Sequence, residues 1–539
     1  MPYPVTFDTS RRFAVVTAVV AFVFLAATSP AIPIAWDEGE YLGRANSLIT
    51  WFHLLWNPRS ANGGFHAFSA RAIHDYWHFF TVDEGHPAFA VIPIAIAKGL
   101  LGGVFQELTA GRLGTIAIFS LACGIVAFHI RTTFGTVGAV IAVTALLTFP
   151  RIFSEAHFAT LDAQLTAWWL MLWAADMLRP SEEALVRVGI LAGLTSATKF
   201  TGWLAWPPLV VSRLITRERR HVAGLLVILP VGLLTFLAVS PPLWHHPIRD
   251  VQEHLRLNLH RDLNVPISFL GHHYDQDHTL PWYNTLVWLF IVTPLPILIL
   301  GLIGVGGCLK RRDGPSISLI LHWATLMIVR ALPGVPPHDG IRLFLPAFGF
   351  WCVLAGIGGQ QVWDFSSTLA GNTRIAMVRA AVVAALAADV ANLARYYPQT
   401  LSHYNILVGG VRGAAALGME PTYWWDSLDS DVLGWLNQHT EGDARVAFSS
   451  AANISILHGW GRLRPVQAPR GGVFKWYVLQ NRTGFLADSD KQLLASGTPA
   501  LVKYAGWHRT GHAPWDLDVP LLVVFPYEQY RAAIAGRLN

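Results

Sequence analysis

Residues 13–41 read FAVVTAVVAFVFLAATSPAIPIAWDEGEY, an apolar run from Phe13 to Ile34 that ends on the acidic stretch Trp36-Asp37-Glu38-Gly39-Glu40-Tyr41. About 20 apolar residues suffice to carry a helix across a bilayer. Carboxylates at the mouth of such a helix cost free energy unless water, a cation or a proton-transfer task compensates them. Asp37 and Glu38 are therefore the first candidates for chemistry at a membrane surface. The same pair could instead cap a helix that starts after it.

The rest of the chain is of one kind with this segment. Of its 539 residues, 53% are hydrophobic and only 14% charged, against roughly a quarter charged in soluble proteins. Repeated apolar runs make it a polytopic α-helical membrane protein. The net charge of +5 is no case for nucleic acid, because the basic residues fall in short clusters between apolar runs. Cys123, Cys308 and Cys352 lie in or beside apolar segments, so no disulfide framework is implied. Arg11 and Arg12 precede the first run as in a signal peptide, but no small-residue cleavage site leads into a soluble domain. An uncleaved first span is expected.

Candidate spans are 13–34, 112–130, 134–150, 162–179, 185–198, 201–215, 222–240, 283–305, 316–332, 342–358 and 375–393. The segment 88–104 is short and carries Pro93, Lys98 and several glycines. If it does not span, Arg131, Arg179 with Arg187, Arg217 to Arg220, Lys310 to Arg312 and Arg374 all share a side with Arg11 and Arg12. If it spans, nearly all of them flip outward, against the positive-inside tendency. About eleven spans are thus expected, with 88–104 re-entrant or interfacial, the N-terminus cytoplasmic and the C-terminal region outside. The first external loop, 35–111, then carries Tyr41, Leu42, Ala45, Leu48, Ile49, Phe52 and Leu55 at helical spacing. That pattern fits a helix lying in the membrane interface, or a soluble loop helix.

Hydropathy falls after Leu393. Helical stretches near 429–438, 488–495 and 527–537 alternate with β-rich runs at Arg445 to Phe448, Trp476 to Leu479, Leu501 to Tyr504 and Leu521 to Phe525. The expected organisation is a membrane domain over 1–394 and a small extracytoplasmic α/β domain over 395–539. The latter has no GxGxxG or P-loop pattern, so no nucleotide site is assigned. It reads as an accessory or acceptor-binding module.

On this topology the unusual ionisable residues gather on the external face. Asp37 and Glu38 follow the first span; Asp83, Glu84 and His86 precede the re-entrant segment; Arg112 opens the next span. Asp162 begins a span, Lys199 ends one, and His338, Asp339 and Arg342 share a loop. A single Lys or Arg at a helix end is as readily an interfacial anchor, whereas Asp162 has apolar and aromatic residues on both sides. The run His272-His273-Tyr274-Asp275-Gln276-Asp277-His278 has a metal-tract composition but no defensible zinc spacing. It reads as a polar, partly disordered loop. The sequons at Asn453 and Asn481 are short enough to arise by chance.

Taken together, these residues resemble the motifs of GT-C glycosyltransferases that use polyprenyl-phosphate sugars, in particular the aminoarabinose transferase and protein O-mannosyltransferase group (families 39 and 83). Asp37-Glu38 with Tyr41 is similar to that group's acidic motif, and Glu84-Gly85-His86-Pro87 to its Glu/His-x-Pro segment. Arg112, Leu161-Asp162, Thr198-Lys199 and Arg342-Leu343-Phe344-Leu345-Pro346 resemble the motifs that follow. The order, spacing and shared sidedness carry the resemblance. Gly85-His86 departs from the aminoarabinose transferases, which have a lysine before the proline, and this weakens transfer of their substrate. The junction Tyr397 to Asn405, with Tyr423-Trp424-Trp425-Asp426, looks like that of uncharacterised bacterial members.

The resemblance implies a bacterial inner-membrane enzyme that moves a sugar, with inversion, from a polyprenyl phosphate to a glycan, lipid or protein hydroxyl outside the cytoplasm. A general base must accept the acceptor proton. Asp37 is the expected base, with Glu38 second and Asp162 positioning the acceptor or Asp37. Glu84 and His86 would position donor or acceptor, and Lys199, Arg342 and Arg112 would hold the donor phosphate. The sequence assigns no cofactor and leaves metal dependence open: Asp37 and Asp162 could share a divalent cation (Mg, Mn or Zn). The competing class is a transporter or lipid-linked-sugar flippase, since intramembrane charges also mark transport pathways. One-sided clustering and the lack of a visible inverted repeat argue against it.

Overall fold

The computed structural model of the protein describes residues 7–56, 63–77, 85–177, 181–215, 219–259, 264–450, 452–469, 471–506 and 514–537. Among them, four helices are long and apolar enough to cross a membrane: Asp8–Ala31, Glu107–Thr133, Arg342–Ser366 and Asn372–Tyr396. Thr136–Thr148 and Pro150–His157, bent by 70°, form a fifth if taken as one broken span. Proline at 150 holds Phe149 extended (ψ 110°), which is why one apolar run becomes two helices. The remaining expected spans also fold as helices outside that group. The expected span 283–305 is corrected to Asn284–Val292 and Leu295–Arg311, because Pro294 cannot donate to a continuous helix. Segment 88–104 contains the helix Val91–Leu101, whose 11 residues are too few for a crossing.

Helix Leu345–Ser366 is the hub, buried from Leu345 through Gly359. It meets Leu295–Arg311 at near backbone contact. A Cβ on Gly304 would stand 2.0 Å from the Leu354 carbonyl oxygen, and one on Gly358 2.0 Å from that of Leu300. The first helix, Phe7–Thr28, behaves oppositely: Val15, Val16, Val19, Val20 and Val23 are exposed, as a lipid-facing stripe should be.

Glu38–Trp56 is the amphipathic helix expected after the acidic pair, with Tyr41, Leu42, Ala45, Leu48 and Trp51 buried. Their partners include Ile94 and Leu108 but also Leu433, Leu457, Val478 and Val524 from the C-terminal region. Among the described residues the strands are β1 (Ile267–Phe269), β2 (His272–Tyr274), β3 (Val446–Phe448), β4 (Trp476–Gln480), β5 (Leu501–Lys503) and β6 (Leu522–Pro526). The C-terminal sheet runs β3-β4-β6-β5, with β3 parallel to β4 and the other pairs antiparallel. β1 and β2 form a separate hairpin, which corrects the reading of the histidine run as partly disordered. The turn that follows β2 is closed by Asp275, whose carboxylate accepts from the Asp277 and His278 amides. Asn453 of the first sequon has a structural task, donating its amide to the carbonyls of Ala35 and Trp36 at 2.7 and 3.2 Å.

The helix contact at Gly304 gives a direct test. Gly304→Ala is expected to destabilise by about 1–3 kcal/mol, the usual cost of overpacking, seen as a lower unfolding midpoint in detergent. Gly306→Ala, whose Cβ would meet nothing within 4 Å, should leave the midpoint unchanged or slightly raised.

Candidate active site

Asp37 and Glu38 are neighbours with opposite fates. The Glu38 carboxylate is wholly buried and takes Arg112 side-on, at 2.8 Å to Nε and 2.7 Å to Nη2. It also accepts from the backbone amides of Ala35 and Ala159, each at 2.9 Å. The other Arg112 N–H groups donate to the carbonyls of Ser29, Ile32 and Pro33. Neither residue has capacity left for substrate. The expectations of Glu38 as second-choice base and of Arg112 as a phosphate ligand find no support in this geometry.

Asp37 turns the other way, into a cavity of about 680 Å³. Arg342 Nη1 donates to its Oδ2 at 3.1 Å, so the carboxylate engages a cation rather than capping the helix that follows. Arg342 also lies 3.5 Å from Asp162 Oδ2 and 3.3 Å from Asp339 Oδ2. Lys199 Nζ donates to Asp162 Oδ1 at 2.6 Å. These groups come from different helix ends. Asp162 opens the helix Asp162–Asp176, where an acid suits the positive end of the dipole. Lys199 follows Glu182–Thr198, where a cation suits the negative end. Arg342 begins a short 3₁₀ turn after Asp339 and Gly340, both at positive φ. His86 lines the same cavity; Glu84 lies outside the described residues.

Several members of the cluster carried no usable signal in the sequence. Arg482 donates to Asp339 Oδ1 at 2.9 Å and lies 3.5 Å from Glu420. Its guanidinium rests 4.2 Å from the Trp425 ring centroid, and that of Arg342 rests 4.1 Å from Trp424. Both tryptophans have φ above +50°, a conformation that bulky residues rarely adopt. Glu155 is buried beside the same charges. The distinctive Trp424-Trp425 pair could have marked the site; the lone Arg482 in a β-rich stretch could not.

The electrostatics follow from the placement. Burial pushes the Asp37 carboxyl above the usual carboxylate range; Arg342 opposes this, while Asp339 and Asp162 reinforce it. Burial would also raise Asp339, but Arg342 and Arg482 together hold it well below that range. Burial pushes Glu420 up to about 7 against the pull of Arg482. As for a divalent cation, the facing oxygens of Asp37 and Asp162 are already engaged by Arg342 and Lys199. No group of three or more His, Cys, Asp or Glu side chains is arranged to hold a metal among the described residues. The residues fit charge compensation by organic cations better than a metal cage.

The sealed pair can be told from a ligand-binding one. Arg112→Ala strands the Glu38 charge, and breaking a buried pair from one side costs about 3–5 kcal/mol. A large loss of folded yield and unfolding midpoint is expected. In Arg112→Lys, the fraction that folds should bind lipid phosphate normally; an affinity loss without a stability loss would return Arg112 to the binding site.

Residues 86–245 match the family model of dolichyl-phosphate-mannose-protein mannosyltransferase. No curated protein sequence matches the chain. Among solved structures it is similar to ArnT from Cupriavidus metallidurans in the apo state, at 16% identity over 96% of this chain and 98% of that one, with a TM-score of 0.48. It is likewise similar to the oligosaccharyltransferase AglB from Archaeoglobus fulgidus in complex with an inhibitory peptide and a dolichol-phosphate. There the identity is 12% over 96% of this chain and 77% of that one, with a TM-score of 0.48. The chain is a helical protein whose residues 86–245 match the mannosyltransferase family model.

Proposed function

We propose that this protein transfers a sugar from a polyprenyl phosphate to an acceptor hydroxyl at the extracytoplasmic membrane face, with inversion at the anomeric carbon. The observation that carries the reading is a cavity-facing carboxylate, Asp37, set beside Arg342 and the Lys199–Asp162 pair. The family matched over 86–245 is named for a dolichyl-phosphate-linked mannose, which supports the donor class. One wall of the cavity is apolar, with Phe200, Leu204, Leu326, Val329 and Leu343, and suits the prenyl chain.

In the proposed reaction, Asp37 accepts the acceptor's hydroxyl proton as that oxygen attacks the anomeric carbon. The bond from that carbon to the phosphate oxygen breaks, and its electron pair leaves with the polyprenyl phosphate. Lys199 and Arg342 stabilise the leaving phosphate. Asp162 holds Lys199 and faces Arg342, so it positions both cations. A divalent ion at Asp37 and Asp162 would have to displace one of these cations, and no step here passes through it. The orientation proposed is cytoplasmic for the N-terminus and external for a domain over 395–539.

The test is sugar transfer by the detergent-purified chain from a panel of polyprenyl-phosphate sugars, which a transporter cannot perform. A general base contributes about 10²–10⁴-fold, so Asp37→Asn should lower turnover by at least about a hundredfold while donor affinity persists. Near-normal turnover would remove Asp37 from the role. Lys199→Ala and Arg342→Ala should each weaken donor binding by about 10–100-fold, the worth of a charged hydrogen bond. Unchanged affinity in both would move the phosphate elsewhere.

The pH profile follows from the upward shift of Asp37. A base must be ionised, so activity is full above its folded pKa and falls as pH drops through it. Because that pKa is raised, the acid limb should lie above the ordinary aspartate value of about 3.9. Arg342→Gln removes the main opposing influence and should move the limb higher still, measurable in the residual pH–rate profile.

A further inference from the structure

The cavity has a second wall of different chemistry. It is built by Trp36 with residues of the C-terminal region: Trp425, Ser449, Ser450, Gln480, Arg482 and Phe485. Trp36 and Trp425 lie 4.3 Å apart between ring centroids, and Trp425 meets Phe485 edge-on at 5.0 Å. Arg482 packs against both Trp425 and Phe485. With Trp425 flanked in this way, the open aromatic surface belongs to Trp36 and Phe485, 41% and 42% exposed. Aromatic rings left bare inside a polar-rimmed cavity mark a binding surface rather than core packing.

The polar groups beside these rings have hydrogen-bonding capacity to spare. Gln480 Oε1 accepts from the Ser427 amide, while no partner is found for its Nε2 among the described residues. Ser449 Oγ accepts from the Gln480 amide, which leaves its own proton to donate. Ser450 Oγ is buried with no partner among the described residues. Flat apolar rings next to amide and hydroxyl groups match a pyranose, whose axial C–H face stacks while its rim of hydroxyls needs partners.

The backbone limits where an extended peptide could pair. Gln480 ends β4, which is paired with β3 on one side and β6 on the other, and the Ser449 amide donates to Val478. β3 is the outer strand and, among the described residues, pairs on its far side only at Val446, with Val466 and Ala468, so a peptide strand could add only beyond that point and would leave the rings and side-chain groups of the wall unused. The donor is meanwhile provided for elsewhere, its phosphate by Lys199 and Arg342 and its prenyl chain by the apolar wall. An acceptor has no such anchor.

We infer that the acceptor is a glycan, and that the Trp36–Phe485 shelf with Gln480, Ser449 and Ser450 binds one of its sugar rings next to Asp37. This deepens the transferase reading above and rests on it.

The probes are methyl pyranosides of several configurations and a Ser/Thr-rich peptide, each followed by saturation-transfer NMR on the full-length protein in detergent. At least one pyranoside should bind, and Phe485→Ala and Gln480→Ala should each weaken it at least about tenfold. Phe485→Trp, which keeps a ring, should retain binding and guards against a misfolded alanine variant. Binding should persist when a donor from the polyprenyl-phosphate panel saturates the enzyme, and donor affinity should be the same in all three variants. Absence of pyranoside binding, binding indifferent to both alanine variants, displacement by donor, or peptide binding alone at these residues would each overturn the inference. Failure of the transferase reading looks different: no polyprenyl-phosphate sugar would bind even to the unaltered protein.

Discussion

A guanidinium without water around it must find five acceptors within the protein, and Arg112 finds all five. Glu38 supplies two, and the carbonyls of Ser29, Ile32 and Pro33 supply the rest. Glu38 in turn has both oxygens doubly occupied, by Arg112 and by the amides of Ala35 and Ala159. Burial of one such pair is not in itself a large source of stability, because desolvation offsets much of the attraction. Its effect is positional. It locks the turn after the first helix to Glu107–Thr133 and to the residues just before Asp162. With Glu38 fixed inward, Asp37 is held toward the cavity, and with Ala159 fixed, Asp162 starts its helix at the same place.

What gathers there is a set of charges that compensate one another around the cavity. Lys199, Arg342 and Arg482 interleave with Asp37, Asp162, Asp339 and Glu420. Burial raises Asp37 and Asp339 alike, and the cations beside them separate the two. Asp339 lies between two arginines and is held acidic, whereas Asp37 meets only Arg342 and is raised. A carboxylate that faces the cavity and has a raised proton affinity, as Asp37 does, is suited to take a proton from an acceptor.

Much of this was legible in the sequence because it depended on local pattern. Apolar runs located the helices, and acids or bases at their ends located Asp37, Asp162, Lys199 and Arg342, which the fold brings to one cavity. What could not be read was the pairing between distant segments. Asp37 and Glu38 are adjacent and chemically alike, and only the approach of Arg112, 74 residues on, separates them. Arg482 lies 143 residues from its partner Asp339, and no periodicity records that meeting. Breaks such as Pro150 and Pro294 are local by contrast, each holding the residue before it extended.

The C-terminal region also has a more intimate place than an accessory module would. Asn453 holds the carbonyls on either side of the Ala35–Trp36 bond, and Trp424 accepts from the Trp36 amide at 3.1 Å. Trp424 and Trp425 are kept in a strained backbone conformation that survives only where the surroundings over-determine it. The strain places one ring against Arg342 and the next against Arg482, so the C-terminal region sets the orientation of both arginines. On the proposed mechanism this has a consequence for the base. A donor phosphate drawing on Arg342 would weaken that residue's hold on Asp37 and add a negative charge nearby, and both effects raise the affinity of Asp37 for a proton. Donor binding would thereby make Asp37 a stronger base, with Trp424 of the C-terminal region keeping Arg342 where it can serve both partners.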